Sequence, residues 1–450
     1  MSNLTKLIAL RQIQTLKCAV LQLPDLPFSN ILTNKSLQQI IDHSESSRDR
    51  IFTPLVTLKA FIFQVLGTDG SCRQAVMHVL SERLQQGKKA ISVMTGAYCM
   101  ARQRLPYESL KALTEETGKK LHQKADSSWK WKGHNTLLTD GTTVLMPDTK
   151  KNQHDFPQQG NQKLGLGFPI ARIVGLVSLS VGTVVSYAVG PYQGKGTGET
   201  SLFSQLIDAI AKNDLLLADR YYCTWAILAL MMQKRSHLLV QNHAQRKPDF
   251  RCGKKLGAKD HLVEWKKPKR KPDWISQADY KALPEYILIR EFAVKGMIFV
   301  TTLLDAKKYS KKELAKLYLE RWKIELDIRS IKTQMGMEML RCKSPEMVKK
   351  EIAVHFLSYN LIRATIARAA KTNQKTPRKI SFMTAVQSLN EGISGLLFLS
   401  GKVLKYVVKT LLTAISSVPI GMQKRKKQPR AIKRRPKPYP LLTKPRSEYS

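Results

Sequence analysis

Apolar residues in the first 130 positions recur at the three- and four-residue spacing that is typical of amphipathic helices. Glycines separate the segments, and Pro106 interrupts the pattern between the last two. The spacing predicts helices that begin near Asn34 or Ser36 and then cover residues 52–66, 72–85, 92–105 and 107–123. We therefore expect an all-helical domain over residues 1–130.

Two of these segments, residues 72–85 and 92–105, are short, basic and joined by a tight connection. Such a pair is compatible with a DNA-binding helix-turn-helix unit in which Arg102 and Arg104 face the DNA. An ordinary helical hairpin has the same pattern of apolar positions. The sequence leaves both interpretations open.

From Thr136 onward the spacing becomes that of β-strands. The first strand contains Asp140, and a later apolar strand over residues 214–219 ends in Asp219. Between them, residues 173–194 form an uncharged run long enough to cross a membrane. Their β-branched residues and central glycine instead predict two buried strands joined by a tight turn.

Helical segments follow the third and fourth of these strands, so strands and helices alternate. This order predicts a mixed α/β sheet with helices on its faces, over residues 131–241 and 297–370. The stretch GKGTGE within this region is similar to a phosphate-binding loop but lacks the GK[ST] ending. A turn from a strand into a helix is the other interpretation.

Residues 242–296 interrupt the sheet pattern, because Lys, Arg, Pro and Gly dominate there and Trp265 and Trp274 are embedded among them. We expect a β-rich insertion of irregular strands. Helical spacing returns after the sheet, and it predicts C-terminal helices over residues 371–420. Residues 421–450 are rich in Lys, Arg and Pro and are expected to form a flexible basic tail.

The charge balance points to a polyanionic partner. The chain of 450 residues carries 75 Lys and Arg against 34 Asp and Glu, a net charge of +41. Each phosphate that Lys or Arg neutralises releases condensed counterions, which favours nucleic acid over an anionic membrane surface. The six cysteines contain no CxxC pair, and the nine histidines form no HExxH motif, so a zinc site is not indicated.

The segment YLERWKIELDIRSIK, residues 318–332, combines an acid with cations on one side of a predicted helix. At about 100° per residue, four side chains fall within an arc of roughly 60°: Tyr318, Arg321, Glu325 and Lys332. An apolar stripe lies beside them: Leu317, Ile324, Ile328 and Ile331. The far side carries Lys316, Glu320, Lys323 and Asp327. Surface ion pairs are the ordinary explanation, but one acid at the edge of a core in so basic a protein indicates a metal ligand beside bound phosphate.

Three acids are candidates for one metal site. Asp140 and Asp219 are flanked by apolar residues, and a buried carboxylate without a partner is costly. An Asp-Gly turn is the alternative for Asp140, and a helix cap is the alternative for Asp219. Together with Glu325 they could hold two divalent cations about 3.5–4 Å apart, as in phosphodiester chemistry. Oxygen ligands suit Mg²⁺.

The spacing Tyr318-x2-Arg321-x3-Glu325-x6-Lys332 matches the signature Y-x2-R-x3-E-x6-K, so the chain resembles the insertion-sequence-4 family of bacterial DDE transposases. The resemblance extends over residues 90–370 and includes DGT at Asp140, GPYQGKGTGET, LLADRYYC, VTTLLD and LRCKSPEMVKKEI. One departure is local. Arg-Tyr-Tyr follows Asp219, where many members have Arg-Gly-Tyr, so Tyr221 could alter the backbone if glycine takes positive φ there.

The resemblance implies an RNase H-like catalytic domain with a β-rich insertion between the second aspartate and the glutamate. It implies that Asp140, Asp219 and Glu325 bind two Mg²⁺ ions, for which Mn²⁺ can substitute. Tyr318 and the two cations of the signature, Arg321 and Lys332, would hold the transposon-end DNA. Members with such an insertion can support a flipped base on a tryptophan, a role open to Trp265 or Trp274. A hydrophobic anchor for the insertion is the alternative.

The function implied by the resemblance is cut-and-paste transposition. The N-terminal helices would bind terminal inverted repeats, metal-activated hydrolysis would cleave the element ends, and the freed 3′ hydroxyls would be joined to target DNA. The expected partners are double-stranded DNA and a second copy of the chain in a synaptic complex. We expect a bacterial, cytoplasmic, nucleoid-associated protein without membrane contact. A catalytically inactive DNA-end-binding protein or repressor is the alternative function.

Overall fold

The computed structural model describes residues 31–44, 51–67, 69–396, 399, 401–420, 443–445 and 448. Residues 1–30 of the predicted helical domain and most of the predicted basic tail lie outside this part of the chain. No helix in the described part is both long and apolar enough to span a membrane.

Helices form the N-terminal part of the described chain, as predicted. They are α1 (Asn34–Asp42), α2 (Pro54–Leu66), α3 (Cys72–Gln85), α4 (Gly96–Arg104) and α5 (Tyr107–Gln123). Thr33, Thr53 and Ser71 cap the first three, because each side chain accepts a hydrogen bond from a backbone N–H of the first turn. The helix predicted from Ser92 begins only at Gly96.

The described residues form one sheet of nine strands. The strands are β1 (Thr136–Leu145), β2 (Ile170–Ser178), β3 (Val184–Pro191), β4 (Leu215–Ala218), β5 (His237–Gln241), β6 (Lys254–Gly257), β7 (Asp260–Lys266), β8 (Tyr286–Val294) and β9 (Met297–Thr301). Their order across the sheet is β3-β2-β1-β4-β5-β9-β8-β7-β6.

The first five positions in this order carry the predicted RNase H-like arrangement. β1, β4 and β5 are parallel neighbours, β2 pairs antiparallel with β1, and β3 pairs antiparallel with β2. The insertion contributes β6, β7 and β8, which join the sheet through antiparallel pairing of β8 with β9. Strand pairing thus extends the catalytic sheet directly into the β-rich insertion.

The uncharged run is two strands, β2 and β3, as predicted. Gly182 in the connecting turn has φ +82°, a left-handed conformation that favours glycine. A Cβ on Gly182 would also lie 2.6 Å from Nη1 of Arg378 and 2.7 Å from Nε of Arg363. The turn therefore requires glycine for both its conformation and its packing.

The remaining helices cover both faces of the sheet. They are α6 (Lys150–Asp155), α7 (Glu199–Ser204), α8 (Trp225–Gln233), α9 (Gln277–Ala282), α10 (Lys311–Leu319), α11 (Lys323–Arg329), α12 (Pro345–Thr372), α13 (Phe382–Leu396) and α14 (Gly401–Ser417). On one face, Leu138 and Val144 of β1 pack into a core with α10 to α14 and the N-terminal helices. On the other, Leu137 packs with α7 and α8.

Helix α12 connects the sheet to the helices around it. It packs against α2, α5 and α14, and Nδ2 of Asn360 donates to the Val184 carbonyl at 2.9 Å while its Oδ1 accepts from the Val184 N–H at 2.8 Å. One continuous apolar core reaches from Leu32 to Ile415. The N-terminal and C-terminal helices therefore share a core with the catalytic sheet.

Candidate active site

Asp140 and Asp219 meet at one edge of the sheet because their strands are parallel neighbours. β1 pairs with β4 only as far as Leu138, and Asp219 follows directly on the last residue of β4. Burial raises the pKa of Asp140 to about 6, and the negative charges of Glu199 and Asp219 contribute to this rise. The hydrogen bond from the Gly141 N–H and the charge of Arg321 act in the opposite direction and lower this pKa. An Asp-Gly turn is excluded, since both residues lie within β1.

Asp219 uses one of its oxygens to cap a short turn. Its Oδ1 accepts the Tyr221 N–H at 2.8 Å, at the start of a 3₁₀ turn over Arg220–Tyr222. Helix α8 has its own cap, since Thr224 Oγ1 accepts the Ile227 N–H at 3.3 Å. Tyr221 is 57% exposed and does not adopt positive φ, so a tyrosine at this position introduces no backbone strain.

The segment predicted as one helix through residue 332 has four parts. α10 is capped by Ser310, which forms a capping box with Glu313, and the helix ends at Leu319. A 3₁₀ turn over Glu320–Trp322, then α11, then a π-helical turn over Ser330–Gln334 follow. Such π turns are frequent at functional sites.

Arg321 lies next to Asp140. Nη1 of Arg321 is 3.8 Å from Oδ2 of Asp140, and the guanidinium also lies over the rings of Tyr318 and Trp322. Arg321 is only 8% exposed, and its Nε has no hydrogen-bond partner among the described residues. A buried donor without a partner is costly, which makes this group a candidate for binding an anion.

Glu325, the third acid, lies on the exposed surface of α11, which packs against β1. Among the described residues, no three His, Cys, Asp or Glu side chains come close enough together to hold a metal ion. The structure therefore gathers Asp140, Asp219 and Arg321 and leaves Glu325 facing outward one helical turn from Arg321. The oxygen donors fit a hard divalent cation.

A fourth acid, Glu199, also lies at this edge, and the sequence did not single it out. It is the first residue of α7, after the turn that leads out of β3, so the strand-to-helix interpretation of GKGTGE is confirmed. Burial and the charge of Asp219 raise the pKa of Glu199, while Arg172 lowers it. The sequence feature that could have revealed the position of Glu199 is the short distance along the chain from the end of β3 to GKGTGET.

Comparison with known proteins identifies the family of the chain. A family model described as "Transposase DDE domain" matches residues 131–361, more than half of the chain. The chain belongs to the DDE transposases. It is 28% identical over 363 residues to the transposase InsG for insertion sequence element IS4 of Escherichia coli (strain K12), covering 78% of this chain and 79% of that protein. The predicted family is thereby confirmed.

One solved structure shows a distant likeness. It is a cryo-EM structure of the piggyBac transposase synaptic complex with hairpin DNA, with a TM-score of 0.43 and 9% identity. The likeness covers 89% of this chain and 86% of that chain. Family membership makes this protein a transposase, which binds DNA and uses a divalent metal.

Two further signature residues of this transposase differ in exposure. Tyr318 is 5% exposed, and its ring packs edge-on against Phe299 at 5.1 Å, so its faces are not open for stacking on a base. Lys332 lies in the π turn with its side chain 21% exposed, and its Nζ is 4.0 Å from Oε1 of Glu338. Lys332 therefore has a weak ion pair and access to solvent.

Arg102 does not face outward, in contrast to the helix-turn-helix expectation. It is 8% exposed, and it donates to Oε1 of Gln64 at 3.2 Å and to Sγ of Cys72 at 3.3 Å. Its guanidinium lies over the rings of Phe61 and Tyr98, so it packs inside the helical core. Arg104 is half-buried.

The position of Trp265 also does not fit its expected role, which was to support a flipped base. It is 3% exposed, its indole N–H donates to Oε1 of Glu291 at 2.9 Å, and the guanidinium of Arg246 lies 3.4 Å from the ring centre. A base cannot reach this ring in the described conformation. Trp274 is half-buried against the same core, so both tryptophans anchor the insertion.

Proposed function

We propose that this transposase cuts the ends of its element and joins them to target DNA, with Asp140, Asp219 and Glu325 as the metal-binding carboxylates. The observation that carries this proposal is the meeting of Asp140 and Asp219 just beyond the paired part of the parallel strands β1 and β4, with Arg321 3.8 Å from Asp140. Burial, with a smaller contribution from the charges of Glu199 and Asp219, raises the pKa of Asp140, and a bound cation would stabilise the ionised carboxylate.

The metal in this proposal is Mg²⁺, bound as two ions, with Mn²⁺ able to substitute. A pair of such ions supplies activation of the attacking hydroxyl and stabilisation of the leaving oxygen in phosphodiester exchange. Asp140 would bind through Oδ2, since its Oδ1 accepts the Gly141 N–H at 2.8 Å. Asp219 keeps one oxygen beyond the one that Tyr221 occupies. Glu325 would join by rotation of its exposed side chain.

The cations of the signature have separate tasks in this proposal. Arg321 binds a phosphate near the cleaved bond, because its guanidinium charge lies beside the acids. Lys332, which is accessible to solvent, binds a phosphate farther along the element end. Tyr318 is a positioning residue, because it packs under Arg321 rather than on the surface.

We further propose that the DNA partners are terminal inverted repeats, bound through the N-terminal helices, and the target duplex. The net charge of +41 supports such extensive phosphate contact. Two ends must be brought together, so the active form is proposed to be a homodimer. The proposed setting is the bacterial cytoplasm, in association with the nucleoid.

Replacement of Glu325 by Gln tests this function. The variant keeps the shape of an exposed side chain, so folding and DNA binding should be retained while Mg²⁺-dependent cleavage of a labelled element end is lost. Glu320→Gln, an acid in the neighbouring 3₁₀ turn, is the matched control and should cleave normally.

Cleavage at the wild-type rate by Glu325→Gln would contradict the assignment of the third acid. A wild-type protein that binds its element end in Mg²⁺ but never cuts it would favour the alternative, a DNA-end-binding protein or repressor without catalysis.

A further inference from the structure

The carboxylate of Glu199 lies directly against the strand residue that follows Asp140. A Cβ built on Gly141 would be 2.6 Å from both Cδ and Oε1 of Glu199, a separation that real Cβ atoms essentially never show. Glu199 therefore occupies the space that any side chain at position 141 would need. Glycine at this position lets an acid from α7 approach β1 closely.

This approach brings Glu199 close to the two aspartates. Oδ1 of Asp140 accepts the Gly141 N–H at 2.8 Å, so the carboxylates of Asp140 and Glu199 both lie against residue 141. Pairing of β1 with β4 ends at Leu138, and no neighbouring residue of β4 lies beside Asp140. The negative charge of Glu199 adds to the effect of burial in raising the pKa of Asp140.

A buried hydroxyl points to the same place. Tyr222 is fully buried at the end of the turn that Asp219 starts, and the charges of Glu199, Asp140 and Asp219 all act on it. Its hydroxyl lies beside that of Thr139, and among the described residues neither atom has a hydrogen-bond partner of standard geometry.

We propose that Glu199 is a fourth acid of the catalytic centre, a positioning residue that helps to hold the divalent cation bound by Asp140 and Asp219. The inference rests on the proposed function of those two aspartates. Side chains just outside a metal's own ligands typically change metal affinity by roughly 10- to 100-fold. The ordinary alternative is that Glu199 only favours the start of α7 and pairs with Arg172.

The test measures the Kd of Mn²⁺ for the full chain and its variants by calorimetry. Glu199→Gln removes the charge and keeps the shape, so Mn²⁺ should bind about tenfold more weakly. Gly141→Ala should weaken binding similarly, because its methyl group displaces the carboxylate. In the double variant the two effects should not add, since they remove the same interaction. Glu264→Gln, an exposed acid on β7, should bind as the wild type does.

Wild-type Mn²⁺ affinity in Glu199→Gln, or full additivity in the double variant, would overturn the inference. If Gly141→Ala does not fold, the isosteric Glu199→Gln decides alone, with its thermal melting curve as the folding control.

The variant Asp140→Asn separates the proposed function from the inference about Glu199. Unchanged Mn²⁺ binding in Asp140→Asn contradicts the proposed function itself, whereas an effect there and none at Glu199 contradicts only this inference.

Discussion

Nη1 of Arg321 lies 3.8 Å from Oδ2 of Asp140, so a cation from the last part of the catalytic fold faces an acid from its first strand. The two residues belong to elements that are far apart in the chain, the 3₁₀ turn after α10 and the centre of β1. Arg321 lowers the pKa of Asp140 but does not cancel the effects of burial and of the neighbouring acids. The net result is an acid with a pKa of about 6 at the candidate metal site.

The first prediction is that Asp140→Asn makes the metal-free protein more stable. The folded state raises the pKa of Asp140 from 3.8 to about 6, so it binds the proton more tightly than the unfolded state does. The stability that this group contributes is present below pH 3.8 and is lost as the pH rises through 6. At pH 7.5 the variant should gain on the order of 1–3 kcal/mol in free energy of unfolding.

Urea unfolding between pH 3.5 and 7.5 in the presence of a chelator checks this prediction. Stability of the wild type should fall relative to Asp140→Asn across about pH 4–6. Added Mg²⁺ should then stabilise the wild type more than the variant. Parallel pH curves for the two proteins would contradict the account.

The second prediction concerns Arg321→Gln. Because Arg321 lowers the pKa of Asp140, its removal should raise that pKa further. Metal binding needs the ionised carboxylate, so the pH at which Mn²⁺ binding is half-maximal should move upward. Mn²⁺ titrations at fixed pH values from 5 to 8 measure this midpoint. Arg329→Gln, an exposed cation of α11, is the control and should leave the midpoint unchanged; a downward shift with Arg321→Gln would contradict the pairing.

The third prediction concerns a buried ion pair behind the acid-bearing helix. Asp327 is fully buried, and it accepts hydrogen bonds from Arg363 Nη2 at 2.6 Å and Arg378 Nη2 at 2.8 Å. Asp327→Asn would leave two buried guanidinium groups without their anion, so the free energy of unfolding should fall by about 3–5 kcal/mol.

Chemical denaturation of Asp327→Asn measures this loss, and Asp208→Asn provides the control. The Asp208 side chain is fully exposed in its pair with Lys234, so that variant should change stability by less than about 1 kcal/mol. Equal stabilities of the two variants would show that the ion pairs of Asp327 with Arg363 and Arg378 do not anchor α11.

The fourth prediction is that Trp265→Ala destabilises the insertion. Trp265 fills a core position and bonds Glu291, so its truncation should cost about 3–5 kcal/mol. Trp322→Ala, at a tryptophan that is 55% exposed, should cost far less. Thermal unfolding compares the two. Undiminished stability of Trp265→Ala, together with weaker binding of a hairpin DNA end, would restore the base-supporting role.

Much of the fold was predictable because the chain's local patterns agree with its tertiary structure. The run after Ile170 is apolar and β-branched around a glycine, and it forms β2 and β3. Two helix starts depend only on residues within one turn. Ser310 forms a capping box with Glu313, and Pro345 occupies the first turn of α12. The two aspartates could be grouped in advance because each is flanked by apolar residues, where a carboxylate without a partner is costly.

Errors arose where distant segments decide the environment of a residue. A helical projection placed Asp327 among charged residues on the far side of the helix, but Arg363 and Arg378 lie 36 and 51 residues away in sequence and bury it. Arg102 was expected to face DNA, yet aromatic rings of neighbouring helices surround it. Glu199 went unnoticed because only the folded chain shows that it touches Gly141.

Anomalous diffraction from crystals of the protein bound to its element-end duplex in Mn²⁺ tests the central claim most directly. The account predicts two Mn²⁺ peaks about 3.5–4 Å apart, both in contact with carboxylate oxygens of Asp140, Asp219 and Glu325. Mn²⁺ bound away from Asp140 and Asp219, or a Glu325 that still faces solvent in that complex, would contradict it.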